Sequence, residues 1–193
     1  QARRSRRSPF RDYYLWSDND DDDTPPMFPG VEESIWSWDA EAGQYYRHMF
    51  YRHEPDLNLA SPAVIKEVEN IVIFWLKLGV SGFRLDAASH LTKQAGRGEE
   101  KRGLWLLEHL RRLIERHNPQ AILLGEVDVE VAEYRDYFGD NNRLNMVLNF
   151  WLNKNCYGSL ASKNARPLID AITKTIVPPD SCCFANWLRN HDE

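Results

Sequence analysis

The sequence predicts an α/β fold built around a parallel β-sheet. From residue 61 onwards, amphipathic helical segments alternate with short apolar runs, each pair taking about 20 to 40 residues. The apolar runs lack the strict polar–apolar alternation of a strand with one face in water, which indicates strands covered on both faces. Right-handed βαβ units produce this pattern. Open doubly wound sheets and closed barrels share it, so periodicity leaves both open.

The first helix is predicted to begin at Ser61. Serine is a good N-cap, Pro62 suits the first helical position, and Gly79 marks the C-terminal end. An apolar run over residues 80–88 then predicts the first strand of the parallel sheet. Apolar side chains on the helix recur at spacings of three and four: Val64, Ile65, Val68, Ile71, Val72, Trp75 and Leu76.

The same scheme continues to the end of the chain. Gly158 and Pro167 are expected to divide the last helical region, and Pro178-Pro179 to end it. The predicted elements are a helix over 104–117, a strand over 121–127, a short helix over 129–138, a strand over 144–150, a helical region over roughly 153–176 and a strand over 183–188.

Residues 1–60 show no such periodicity. They are rich in aromatic, acidic and proline residues, which favours a loop-rich segment distinct from the α/β part at 61–193. The acidic run 18–23 is most simply a solvated turn. It could also hold Ca²⁺ through hard oxygen ligands, although the glycine and distal glutamate of an EF-hand loop are missing.

Composition excludes several classes of protein. The net charge of −5 gives no basic field for nucleic acid, and no apolar run approaches the length of a membrane span. Three cysteines provide neither a disulfide framework nor zinc-site spacing, which favours reduced thiols in the cytoplasm. Neither end looks like a natural terminus, so we expect these 193 residues to be a piece of a longer protein.

Three carboxylates lie at or just past the carboxyl ends of predicted strands: Asp86, Glu126 and Asp192. The carboxyl ends of parallel strands are where α/β folds build their sites. Arg84 lies two residues before Asp86, so in a strand both side chains point to the same face. A structural Arg–Asp pair bracing the core is the alternative for that pair alone. Three such strand ends in order, one of them next to His191, favour a catalytic site.

Convergent carboxylates without an evident metal set suit glycoside chemistry. One carboxylate attacks the anomeric carbon while a protonated one gives its proton to the leaving oxygen. We expect Asp86, beside the Arg84 cation, to be the nucleophile. We expect Glu126, flanked by apolar residues, to be the acid/base group.

Four segments bring these residues into patterns that resemble a known family. Any one of them is moderate evidence, and the four in this order are specific for the α-amylase superfamily. They are Glu54-Pro55-Asp56-Leu57-Asn58, Gly82-Phe83-Arg84-Leu85-Asp86-Ala87-Ala88, Leu124-Gly125-Glu126-Val127 and Leu188-Arg189-Asn190-His191-Asp192-Glu193.

The resemblance implies a partial (β/α)8 barrel, about strands 4 to 7, preceded at residues 1–60 by the C-terminal part of an irregular B domain. It implies that Arg84 and His191 bind substrate and that Asp192 holds sugar hydroxyls and supports the transition state. No cofactor is required, and a structural calcium ion remains open. His90 reaches a sugar, binds calcium through its carbonyl, or is simply a polar residue at a helix start. The isolated piece is expected to be inactive.

Within this superfamily, Arg11-Asp12-Tyr13-Tyr14-Leu15-Trp16-Ser17-Asp18 and Tyr137-Phe138-Gly139-Asp140 resemble the branch that interconverts maltose and trehalose. The expected substrate is an α-linked glucose disaccharide or oligosaccharide. A plain α-glucosidase or α-amylase uses the same residues with water as acceptor and is the alternative. Ser89-His90 stands where amylases often have Lys-His, which weakens the case for a long-chain starch site. A non-catalytic member is disfavoured because all three carboxylates are present.

Overall fold

The computed structural model describes residues 1–97, 102–189 and 191. The chain forms two compact units, residues 1–68 and 69–193. In the described residues the α-helices are α1 (Pro62–Lys77), α2 (Ala88–Gln94), α3 (Trp105–His117), α4 (Tyr134–Phe138), α5 (Phe150–Ser162) and α6 (Arg166–Lys174), and three short 3-10 turns lie at Ala2–Arg4, Arg11–Tyr13 and Val131–Glu133. The strands are β1 (Trp16–Ser17), β2 (Trp36–Asp39), β3 (Gln44–Arg47), β4 (Gly82–Leu85), β5 (Ile122–Gly125), β6 (Met146–Leu148) and β7 (Cys183–Ala185).

Residues 1–60 are mostly irregular, and they also contain a small antiparallel sheet, in the order β1-β3-β2, that was not predicted. Gly43, with φ +61°, closes the β2–β3 turn, and its N–H donates to the Asp39 carbonyl at 2.9 Å. Trp38 and Tyr45 face each other across the strands with ring centroids 5.1 Å apart. Cross-strand aromatic pairs and a glycine turn thus stabilise a hairpin too short to show periodicity.

The second unit contains the predicted parallel sheet, in the order β4-β5-β6-β7. All three neighbouring pairs are parallel, and the register places Leu85 beside Gly125. The spatial order therefore follows the chain order. A doubly wound sheet reverses its strand order at a switch point, whereas a barrel adds each strand beside the previous one. The strand order in this part of the chain is that of a barrel.

Helix α3 shows why this unit holds together. Its predicted apolar face is confirmed: Leu107 and Ile114 are fully buried, and Leu110 and Leu113 are nearly so. In the β5 segment alternate side chains are buried on one face, with Leu123 and Val127 at zero exposure. Burying a leucine or isoleucine contributes about 1.5–3 kcal/mol, so these buried side chains are a main source of stability.

One prediction about the helices needs correction, and one helix was missed. The last helical region divides after Lys163, which is left-handed with φ +52°; Pro167 lies in the first turn of the helix that follows, as a dividing residue would, whereas Gly158 lies inside α5. The Asn164 N–H donates to the Ser159 carbonyl at 3.1 Å, so the C-terminal end of α5 is capped by backbone groups. A further short helix, α2, follows the first strand of the parallel sheet directly and was not predicted as an element.

Candidate active site

Asp86 and Glu126 lie side by side at the carboxyl edge of the parallel sheet. Asp86 is the first residue after β4, and Glu126 is the first residue after β5. The Glu126 N–H donates to the Leu85 carbonyl at 2.9 Å, which continues the ladder one step beyond the strands. The register that aligns Leu85 with Gly125 therefore brings two residues 40 positions apart in the sequence to one point.

Arg84 joins the two carboxylates. Its Nη1 donates to Asp86 Oδ1 at 2.5 Å, and its Nη2 donates to Glu126 Oε2 at 2.9 Å. The side chains of Asp86, Arg84 and Glu126 are 74%, 33% and 18% exposed. Of the two carboxyl groups, that of Asp86 is therefore open to solvent and that of Glu126 is largely enclosed. A planar guanidinium can serve both carboxylates at once because its nitrogens form a rigid fork. Arg84 thus holds the two carboxyl groups together in a fixed arrangement.

Ala87 supplies a second donor to Glu126. Its backbone is left-handed, with φ 41° and ψ 45°, and its N–H donates to Glu126 Oε2 at 3.0 Å. The next N–H, that of Ala88, donates to the Glu126 carbonyl at 2.8 Å. An L-residue other than glycine occupies this conformation at a cost of about 1–2 kcal/mol. Nothing in an alanine's identity signals this geometry, so the contact could not be found from the sequence.

The surroundings of Glu126 differ from the apolar ones expected from its neighbours in sequence. Successive side chains of an extended chain point to opposite faces, so Leu123 and Val127 are buried on one face while Glu126 lies on the other. There the carboxylate accepts from a guanidinium and a main-chain N–H. Its polar partners, and not the flanking apolar residues, define its environment.

The remaining candidate residues are placed as follows. His90 lies in the first turn of α2, where its backbone N–H donates to the Ala87 carbonyl at 2.8 Å. His191 is exposed and sits in a bend that follows β7 by six positions. Asp192 lies outside the described residues, so its role as third carboxylate stays a prediction. The structure brings Arg84, Asp86 and Glu126 together.

The described part of the chain holds no group of three or more His, Cys, Asp or Glu side chains that could bind a metal ion. In the acidic run, Asp18 instead accepts from Arg6 at 2.8 Å and from Gln44 at 2.6 Å. Asp22 accepts from the Thr24 N–H at 3.0 Å. Calcium binding there stays an untested prediction.

Comparison with known proteins places the chain in a family. The family model described as "Alpha amylase, catalytic domain" matches residues 1–193. A trehalose synthase from Thermus thermophilus is 37% identical over 100% of this chain and 21% of its own length. A trehalose synthase/amylase from Mycobacterium tuberculosis is 34% identical over 100% of this chain and 33% of its own length. The chain thus spans a third or less of these relatives.

A solved structure agrees with the fold. The crystal structure of an α-amylase from H. orenii matches with a TM-score of 0.75 and 29% identity, over 99% of this chain and 38% of that one. The predicted partial (β/α)8 barrel is thereby confirmed, with β4 to β7 as four successive barrel strands. The strand order of the parallel sheet agrees with the family match over residues 1–193. The chain belongs to the α-amylase catalytic-domain family.

Proposed function

We propose that the whole protein is a retaining enzyme that processes α-glucosides through a glucosyl ester on Asp86. The observation that carries this proposal is the shared guanidinium: Arg84 holds Asp86 and Glu126 at adjoining strand ends, with Asp86 open to solvent. Retaining glycosidases need two carboxyl groups close together, one as nucleophile and one as acid/base. The contacts of Arg84 supply such a pair.

In the first step an Asp86 oxygen attacks the anomeric carbon while protonated Glu126 gives its proton to the departing glycosidic oxygen. The carbon–oxygen bond to the leaving sugar breaks and the ester bond to Asp86 forms. In the second step Glu126, now a carboxylate, takes a proton from the acceptor hydroxyl as that oxygen displaces Asp86. Arg84 and the Ala87 N–H hold Glu126 in place between the two steps.

The third carboxylate, Asp192, and His191 are proposed to hold hydroxyls of the glucosyl ring and to favour its distortion toward the transition state. His90, at the start of α2, is proposed as a weaker sugar contact. The chemistry needs no cofactor, and a calcium ion would have a structural role only.

The reaction proposed first is the interconversion of maltose and trehalose. Its support is that the two relatives described above are named trehalose synthase and trehalose synthase/amylase. Hydrolysis by an α-glucosidase or α-amylase is the second candidate, supported by the amylase activity in the second name and by the α-amylase structure. The two differ only in the acceptor for the second step, which is the released glucose or water.

The proposed substrate is therefore an α-linked glucose disaccharide or oligosaccharide, and not a nucleic acid or a membrane lipid. No helix in the described residues has the length and apolar character needed to cross a bilayer. The proposal includes a cytoplasmic location, supported by three cysteines that form no disulfide, two of them adjacent.

The test is to incubate the whole protein with maltose and to separate the sugars formed. Trehalose supports the first reaction and glucose alone supports the second. Glu126→Gln should lower kcat on maltose by roughly 100- to 10,000-fold, and much less on a glucosyl fluoride, which needs no proton on departure. Glu67→Gln, the same change on the exposed face of α1, is the matched control. Unchanged turnover of maltose by Glu126→Gln would exclude the acid/base role.

A further inference from the structure

Three polar side chains recur every fourth residue at one side of helix α5: Asn149 at its N-cap, Asn153 and Tyr157. Residues four apart lie above one another on a helix, so these three form a row. We infer that this row is a positioning device for the substrate-binding segment after β7, which leads to His191. The inference rests on the proposed function, because that function gives the segment its task.

Each member of the row contacts the next residues of the outgoing chain in order. Asn149 Nδ2 donates to Asn186 Oδ1 at 3.0 Å. Asn153 Nδ2 donates to the carbonyls of Trp187 and Leu188, both at 3.1 Å. Tyr157 OH donates to the Leu188 carbonyl at 2.5 Å. Successive members of the row therefore bind successive residues of the segment 186–188.

These contacts start where the sheet stops. β7 ends at Ala185, whose carbonyl still accepts from the Asn149 N–H at 3.1 Å. Beyond it, side chains of α5 bind carbonyls that no strand pairs with in the described residues. Backbone carbonyls that lose their strand partner need another donor or water. Because the donors come from a helix, they fix the direction in which the chain leaves the barrel edge.

The burial of Asn153 separates this row from an ordinary surface contact. Asn153 is 3% exposed, and both hydrogen bonds of its amide nitrogen go to the same short stretch of backbone. The Trp187 ring packs edge-on against Phe150, with centroids 5.2 Å apart, which ties the same stretch to the first turn of α5. Loss of the Asn153 donor would leave the Trp187 carbonyl to find a new partner and would leave the Leu188 carbonyl with Tyr157 as its remaining donor.

The experiment compares Asn153→Ala, Tyr157→Phe and Asn155→Ala in the whole protein. Asn155 is the matched control because its amide donates only within the helix, to the Trp151 carbonyl at 2.8 Å. Asn153→Ala should lower kcat/KM on maltose by about tenfold to 100-fold, as expected when a binding segment shifts by up to about 1 Å. Tyr157→Phe should lower it by about two- to fivefold. Asn155→Ala should stay within twofold.

A double-mutant cycle with His191→Ala separates positioning from general stability. If Asn153 acts through this segment, Asn153→Ala should lower kcat/KM by at most about twofold when His191 is already alanine. Two results would overturn the inference. In one, the losses in kcat/KM caused by Asn153→Ala and His191→Ala multiply in the double variant. In the other, kcat/KM of Asn153→Ala stays within twofold of the parent at a temperature where both proteins are folded.

Hydrogen exchange gives a readout that does not depend on catalysis. Amides of residues 187–191 should exchange at least about tenfold faster in Asn153→Ala than in the parent and in Asn155→Ala. Equal exchange in all three proteins would refute the row as an anchor, even if maltose proved not to be a substrate. Lack of any glucoside turnover with the exchange difference present would refute the proposed function and leave the anchor standing.

Discussion

Replacing Gly82 by alanine tests the close approach of the two strands that carry the carboxylates. Gly82 pairs with Ile122, and a Cβ built on it would lie 2.3 Å from the Ile122 carbonyl oxygen and 3.0 Å from the Ile122 nitrogen. Both atoms belong to the backbone, so no side chain can rotate away. A normal carbon–oxygen contact is about 1 Å longer, and the strands must separate by roughly that amount.

Overpacking of this kind costs typically about 1–3 kcal/mol, and the upper end applies because the obstacle is backbone. A complete barrel takes about 250 residues, a size at which each kcal/mol lowers Tm by about 2 °C, so we expect Gly82→Ala to melt about 6 °C lower. A 1 Å displacement at a reacting group costs about 100-fold in rate. Because Gly82 lies at the far end of the strand from Asp86, a loss in kcat nearer tenfold is expected.

The assay is thermal unfolding and maltose turnover of the whole protein, with Gly158→Ala as control. A Cβ on Gly158 meets nothing within 4 Å, and the residue is exposed inside α5, so alanine there should stabilise by about 0.5–1 kcal/mol. If Gly82→Ala keeps the Tm and the turnover of the parent, the close approach of the two strands is not the reason for a glycine at this position. An equal loss in both variants would refute the steric reasoning as well.

Two further predictions follow from single contacts. Arg84→Lys should lower kcat/KM by about 10- to 100-fold, because a compact ammonium cannot replace the fork that serves Asp86 and Glu126; Arg166→Lys on the surface of α6 should change little. Burial lowers the pKa of His48 below 6.5, so the unfolded chain binds more protons and unfolding free energy falls as pH drops from 6.5 toward the folded-state pKa. The Tm advantage of the parent over His48→Asn should therefore shrink between pH 7.5 and 5.5, and parallel Tm curves would contradict this.

Strand ends and amphipathic helices could be predicted because their signals are local. The apolar face of α3 and the run before Glu126 come from spacing and from residue type alone. The proximity of Asp86 to Glu126 then followed from one topological rule, that parallel strands end at the same edge. Arg84 was expected beside Asp86, but its second bond to Glu126 depends on register and could not be read from the chain.

What escaped prediction depends on conformations that residue type does not encode. Ala87 is left-handed although alanine rarely is, because the neighbouring structure holds it there. The hairpin in residues 1–60 was missed because its strands, four residues each, are shorter than a reliable pattern. Gly158 was expected to break a helix, yet an exposed glycine costs a helix only about 1 kcal/mol, which packing easily offsets.

The row on α5 turns part of this helix into a ruler of fixed length. Each residue of an α-helix advances about 1.5 Å and turns about 100°, so one inserted residue between Asn149 and Tyr157 would swing Tyr157 a quarter-turn away from Leu188. Insertions and deletions should therefore be excluded within residues 149–157 and accepted at the turn around Lys163, where helix phase no longer matters. Among relatives of this chain, this stretch of nine residues is therefore expected to keep its length even where its other side chains change.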